Sequence, residues 1–246
     1  MHRWDMNETR ALVLRLYGKS QLEWARPALR SVADRLIYAQ IHIRALEAAM
    51  KTYLSPERRE LEIFEIILTD SEDAWHDFNQ FLREIGAHAT AGIQSLHAIG
   101  DLLSHAIYYS CAMNIESPIK ERGITLDAIV RRLSGKANAI NLCKLHATFG
   151  TKGDFLHLAA LSNRAKHRSL VLPSLTEDQT GQLPERLSLL MQAFDHDGAK
   201  FPAVNLLEFL ISQFEAVVGR ANEVGNELND FLRHSSSVNS NARPDN

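Results

Sequence analysis

The chain has 246 residues, of which 45% are apolar and 23% charged, with a formal net charge of −3. That apolar supply fills a sizeable core and excludes a disordered chain, and the slightly acidic balance excludes a protein that coats nucleic acid non-specifically. Two cysteines, Cys111 and Cys143, are too few and too far apart for a disulfide scaffold, a CxxC redox motif or a zinc ribbon, and they read as buried free thiols. Met1 to Thr9 has no charged-then-apolar leader and no apolar run approaches the roughly 20 residues of a membrane span, so the expected location is cytoplasmic, with no membrane partner.

In chain order, Asn7 to Tyr17 reads as a short amphipathic helix closed by Gly18. Ser20 then caps a second helix that reaches about Leu54, with an apolar stripe of Leu22, Trp24, Leu29, Val32, Leu36, Ile37, Ile41, Ile43, Leu46 and Met50, and Pro27 near its start. Ser55 opens a further helix through Leu61, Phe64, Ile67 and Leu68, a segment whose isoleucines also fit a strand. The organising stretch is Ser71 to Asn114. It lacks proline, and Trp75, Phe78, Leu82, Ile85, Ala89, Ile93, Leu96, Leu103 and Ile107 fall three or four apart. It predicts one very long central helix, about 66 Å from end to end. Because that exceeds the width of a small bundle, a homodimer is expected to cover part of it.

Ser117-Pro118 and Gly123 mark a loop, and Thr125 to Phe149 predicts a helix with Gly135 as its weak point. Asp154 caps another helix that reaches His167, and Leu170 to Leu172 leads into an extended piece stopped at Pro173. Leu187 to Phe194 reads as a strand, with Asp197-Gly198 as a hairpin turn before Phe201-Pro202. Val204 to Leu232 forms the last helix, and SSSVNSNARPDN from Ser235 is a polar tail expected to be disordered. The fold class is therefore all-α, a helical bundle around the long central helix with a small β-hairpin near residues 187–202. No linker interrupts residues 1–234, which read as one domain followed by the tail 235–246.

On the central helix, His97, Asp101 and His105 are spaced by four and share a stripe. His97 and His105 are roughly 12 Å apart along the axis, too far for one metal ion, and no HExxH or paired ExxH supplies further ligands. No metal or cofactor is assigned. His97 and Asp101 remain candidate binding residues. Asp101, set between Leu96 and Leu103 on a helix expected to be buried, predicts a partner among the cations late in the chain. Those cations are the densest cluster in the sequence: Asn163, Arg164, Lys166, His167 and Arg168, at the end of a helix. Cations there complement the helix dipole, and the same side chains suit a phosphate or an RNA backbone.

The long helix containing SLHAIGDLLSHAIY and the later LSNRAKHRSLV resemble the HEPN superfamily of helical-bundle domains, in particular its poorly characterised bacterial branches, over roughly residues 70–170. The resemblance implies a four- or five-helix bundle, frequently dimeric, acting on RNA in toxin, antitoxin or phage-defence systems. Catalytic members cut RNA without metal, using an arginine, a polar residue beside it and a histidine four to six residues beyond. Transferred here, Arg164 and His167 are the candidate catalytic pair, although only Ala165 and Lys166 separate them. The family spacing is met literally by Arg83-Glu84-Ile85-Gly86-Ala87-His88 and by Arg35 to His42. Matches of this kind arise by chance in a chain with 11 histidines, so spacing alone assigns neither, and Arg83 with His88 is kept as a fallback. The functional expectation is a HEPN-like domain that binds RNA, a nucleotide or a partner protein through Asn163–Arg168. The alternatives are a metal-independent endoribonuclease and a structural dimerisation bundle.

Overall fold

Gly18 divides the first helix. In the computed structural model, which describes residues 2–54, 65, 72–149, 155–181 and 186–241, helix α1 spans Met6–Tyr53 but Gly18 has φ 83° and ψ −179°. That left-handed conformation is accessible to glycine at little cost and interrupts the hydrogen-bond ladder where the sequence places a stop. The helix expected from Ser55 and the cap at Asp154 lie outside the described residues.

The described chain forms an all-α fold with a small antiparallel sheet and separates into two compact units. One comprises Met1–Leu36, Ala98–Leu156 and Glu215–Asn246; the other comprises Ile37–His97 and His157–Phe214. The crossings fall inside or beside helices, which is why no Gly/Pro-rich linker announces them.

The central stretch forms two helices, α2 (Glu72–His97) and α3 (Ile99–Ser110), with Ala98 between them. The expected single rod is thus shortened, α2 being about 39 Å long. At Gly100, in the first turn of α3, an added Cβ would come within 3.0 Å of the Phe149 side chain, which would have to give way by a few tenths of an ångström. Past Ser110, Ala112 takes a left-handed φ of 51° and starts the short α4 (Met113–Glu116). Phe78, Ile85, Ala89, Ile93 and Leu96 are buried as their spacing requires, whereas Trp75 at the start of α2 is 49% exposed.

In the first unit, Thr125 caps α5 (Leu126–Ser134) by accepting from the Ala128 amide at 3.3 Å. Gly135 ends α5, and a 3₁₀ turn leads to α6 (Ile140–Ala147), so the expected single helix breaks at its weak point. The N-terminal segment docks on α8 (Leu206–Asn241). Trp4 Nε1 donates to Thr9 Oγ1 at 2.9 Å, Thr9 Oγ1 donates to Asn229 Oδ1 at 2.6 Å, and the Trp4 amide donates to Asn222 Oδ1 at 3.0 Å. The indole lies directly on Gly225. Helix α8 continues past Ser235, where composition places the start of a disordered tail, to Asn241. Ser235 and Ser236 hydroxyls donate back to the carbonyls of Phe231 and Leu232, giving the polar residues helical partners.

In the second unit, α7 (Leu156–His167), which starts one residue before it, leads to a sheet of β1 (Pro173–Glu177), β2 (Leu187–Met191) and β5 (Val204–Asn205), ordered β1-β2-β5 and antiparallel. Strands β3 (Phe194–His196) and β4 (Ala199–Phe201) form the anticipated hairpin. Its turn residues Asp197 and Gly198 have φ values of 49° and 79°, the pair of positive values a two-residue type I′ turn requires. Pro173, expected to stop an extended piece, instead begins β1, where its missing amide interrupts no ladder. Gly86 of α2 faces Leu172 and Pro173 at 3.8 Å, which seats the helix on the sheet.

Glycine to alanine inside an exposed helix ordinarily raises stability by about 1 kcal/mol. Gly225→Ala should do the reverse, because the new methyl would overlap the Trp4 ring and expel it. Urea denaturation should show a loss of about 2 kcal/mol, with red-shifted tryptophan emission. A more stable variant would contradict this packing.

Candidate functional site

Helix α1 beyond Ile37 buries Ala39, Ile43 and Leu46, and α2 buries Ile85, Ala89, Gly92 and Ile93. His42 precedes one of these buried residues and His88 another, so each ring sits at the margin of an apolar face and is half-buried. An added Cβ at Gly92 would lie 3.7 Å from His42 Cβ, ordinary van der Waals contact, so the bare glycine brings the α2 backbone close to His42. The two imidazoles meet Nδ1 to Nδ1 at 3.0 Å, with ring centroids 5.3 Å apart and planes inclined by 41°.

That contact fixes the protonation of the pair. One Nδ1 must carry a proton and donate it while the other accepts, because two protonated Nδ1 atoms at this distance would repel. Burial, and then the neighbouring His88, push the His42 imidazole below the usual histidine range. Among the described residues neither Nε2 has a hydrogen-bond partner, and both rings are half-buried. The arrangement is therefore a two-ring relay with a reactive nitrogen at each end, able to take a proton at one Nε2 and release one at the other. Arg83, exposed on α2, lies about 140° around the helix from His88. The two stretches that met the arginine–histidine spacing thus have their histidines in contact, while Arg35 belongs to the other unit.

The cluster Asn163–Arg168 is divided. Arg164 donates from Nη1 to the Asp195 carbonyl at 2.8 Å and its guanidinium lies 5.6 Å from the centre of the Phe194 ring, which pins α7 to the β3–β4 hairpin. Asn163 is half-buried, and Lys166, His167 and Arg168 are exposed. Asp101 differs from expectation: it is exposed, and among the described residues its carboxylate forms no hydrogen bond or ion pair, so the premise of a buried acid seeking a cation fails. Helix α3 turns that position outward, where water solvates it. His105 accordingly pairs through Nδ1 with the backbone carbonyl of Asp101 at 3.0 Å, and His97 is half-buried at the end of α2. Among the described residues no three His, Cys, Asp or Glu side chains gather as a metal site would need.

Two other histidines were not singled out by the sequence. His146 on α6 is fully buried, its Nε2 lying 2.9 Å from Ser104 Oγ, which itself donates to the Gly100 carbonyl at 2.9 Å. Without exposure, this Ser–His contact is closed to substrate and ties α6 to α3. His157 is ringed by Phe194, Phe201 and Phe209 at 4.9 to 5.6 Å, and burial lowers its pKa. No signal in sequence separates these from surface histidines, because burial is set by distant packing.

Among the described residues no helix is long and apolar enough to cross a membrane. No family model matches the chain, and no curated protein or solved structure is detectably similar to it.

Burial lowers the pKa of His146 to about 4 from the usual 6.5, so the fold favours the neutral ring. Its contribution is complete above pH 6.5 and drains away as pH falls towards 4, because the unfolded chain takes up the proton first. The full effect is about 3 kcal/mol. His146→Gln, which keeps a donor for Ser104, should flatten the dependence of Tm on pH between 7 and 4 relative to wild type. Equal slopes would show that His146 is not held neutral.

Proposed function

We propose that this chain is a HEPN-like protein that cuts RNA without a metal, with His42 and His88 as its acid–base pair. The observation that carries the reading is the 3.0 Å contact between their Nδ1 atoms. In RNA the 2′-hydroxyl is a nucleophile built into the substrate. One Nε2 removes its proton as the 2′-oxygen attacks phosphorus, the Nδ1 proton passes to the partner ring, whose outward Nε2 releases a proton to water, and a water protonates the departing 5′-oxygen, leaving a 2′,3′-cyclic phosphate. Transfer along the Nδ1–H···Nδ1 bond leaves both rings neutral with their tautomers exchanged, and the reverse transfer, with proton exchange to water at each Nε2, restores them. Arg83 supplies a cation for the phosphate, and Glu84 is the polar residue beside it in the family pattern. A second reading, binding without cleavage, is favoured by the exposure of Lys166, His167 and Arg168 beyond the anchored Arg164, a strip suited to RNA, a nucleotide phosphate or an acidic partner.

Purified protein incubated with mixed-sequence RNA in EDTA should generate cyclic-phosphate ends. His42→Ala and His88→Ala should each lower the rate at least about a hundredfold with Tm nearly unchanged, and Arg83→Ala should lower it less. Rate should decline with acidity only below the ordinary histidine value of 6.5, because His42 must be neutral and its pKa is lowered. RNA left intact by the wild type, or cleaved equally by His88→Ala, would contradict the proposal. Intact RNA that is bound by the wild type but not by His167→Ala would establish the second reading.

A further inference from the structure

The same pair of helices encloses a groove of ≈ 670 Å³ in the second unit. Ala45 and Ala49 of α1 form one wall. Across from them, Asp77 and Glu84 of α2 stand two turns apart on one helical face, and Tyr53 and Phe81, stacked at 4.1 Å with planes inclined by 8°, close the apolar side. Among the described lining residues no cation is present. The groove adjoins the histidine pair: Ala45 lies one turn beyond His42 and Glu84 one turn before His88, about 4.5 and 6 Å along their helices.

The lining limits what can enter. Exposed carboxylates repel phosphate, so a nucleic-acid backbone does not run along the groove floor. An apolar, aromatic-walled slot with carboxylate acceptors suits a flat heterocycle that carries N–H donors. Carboxylates accept from the exocyclic amine of cytosine, whereas uracil presents a carbonyl oxygen at that position and is repelled. Base-paired RNA hides its edges in the stack, so an entering base must be unpaired.

We infer that the groove beside His42 and His88 receives one unstacked, amine-bearing nucleobase, so that the preferred substrate is single-stranded RNA with cytosine rather than uracil next to the scissile phosphate. This rests on the reading of the pair as an RNA-cleaving site. Backbone and base are then handled by separate groups. The histidines act on the phosphate, and Glu84 and Asp77 take the base edge.

The test uses His88→Ala protein, which holds RNA uncut, and fluorescence anisotropy with five-nucleotide oligocytidine and oligouridine. Oligocytidine should bind about tenfold more tightly, the value of one charge-assisted hydrogen bond. Adding Glu84→Ala, an exposed substitution that leaves the helix intact, should bring the two affinities within about twofold, and Asp77→Ala should narrow the gap. In the wild type, cut sites on mixed RNA should cluster beside cytosine. Equal affinities in the starting variant, or a preference that survives both carboxylate substitutions, would overturn the groove assignment. If wild-type cleavage in EDTA persisted alongside either result, the reading of the histidine pair would stand. Absence of both cleavage and oligonucleotide binding would overturn the two together.

Discussion

Two imidazole rings held Nδ1 to Nδ1 at 3.0 Å require helices that approach closely and a shared inventory of protons. Gly92 is consistent with the first requirement, because a Cβ added there would just touch His42 at 3.7 Å, leaving room for no more than a small residue. The buried rows Ile43 and Leu46 on α1 and Ile85, Ala89 and Ile93 on α2 meet it, by burying apolar surface on both sides of the pair. Burial of His42 meets the second, since it disfavours the charged form of that ring. Packing and chemistry are thus coupled. The features that seat α2 against α1 are the ones that let the pair share one proton between its two Nδ1 atoms.

Part of the polar interior follows the ordinary rule that burial demands a partner, whereas among the described residues Ser110 Oγ, Ser162 Oγ, Gln213 Oε1 and His146 Nδ1 are buried without one. Ser104 Oγ and His146 Nε2 satisfy each other, and Trp4, Thr9 and Asn229 form a chain of hydrogen bonds that secures the N-terminal segment to α8. Arg233 with Glu8 adds a charged clasp on the outside, where Glu8 is held below its usual value by the guanidinium hydrogen bond. Because such exposed pairs contribute little, the buried chain of hydrogen bonds and the indole on Gly225 dominate that junction.

Local backbone chemistry was legible in the sequence. Gly18 and Asp197-Gly198 each marked a break or a turn because the positive φ angles needed there admit few residues, Gly135 marked one through its low helix propensity, and Thr125 served as a cap because its hydroxyl accepts from a first-turn amide. The apolar faces of α1 and α2 were legible from period 3.6, apart from Trp24, Ile37, Ile41 and Trp75, which are exposed because periodicity locates a face without showing how far the neighbouring elements extend over it. The interruption at Ala98 left no signal, as its φ of −68° and ψ of −14° are helical. Strand β1 was hidden by Pro173, and Asp101 was misplaced because a position between two leucines need not be buried. The histidine pair could not be read at all from spacing. Its members are 46 residues apart, and only the packing of α1 on α2 distinguishes their stretches from chance matches.

The shared proton is the claim on which the site depends, and the most direct measurement of it is a long-range ¹H–¹⁵N spectrum of the histidine side chains recorded across pH. The contact requires that in the neutral pair one of the two rings carries its proton on Nδ1 while the other has a bare Nδ1, and that His42 titrates below 6.5 and moves upward when His88 is replaced by alanine. Two rings each bearing their proton on Nε2 at neutral pH, with a His42 titration indifferent to the loss of His88, would contradict it.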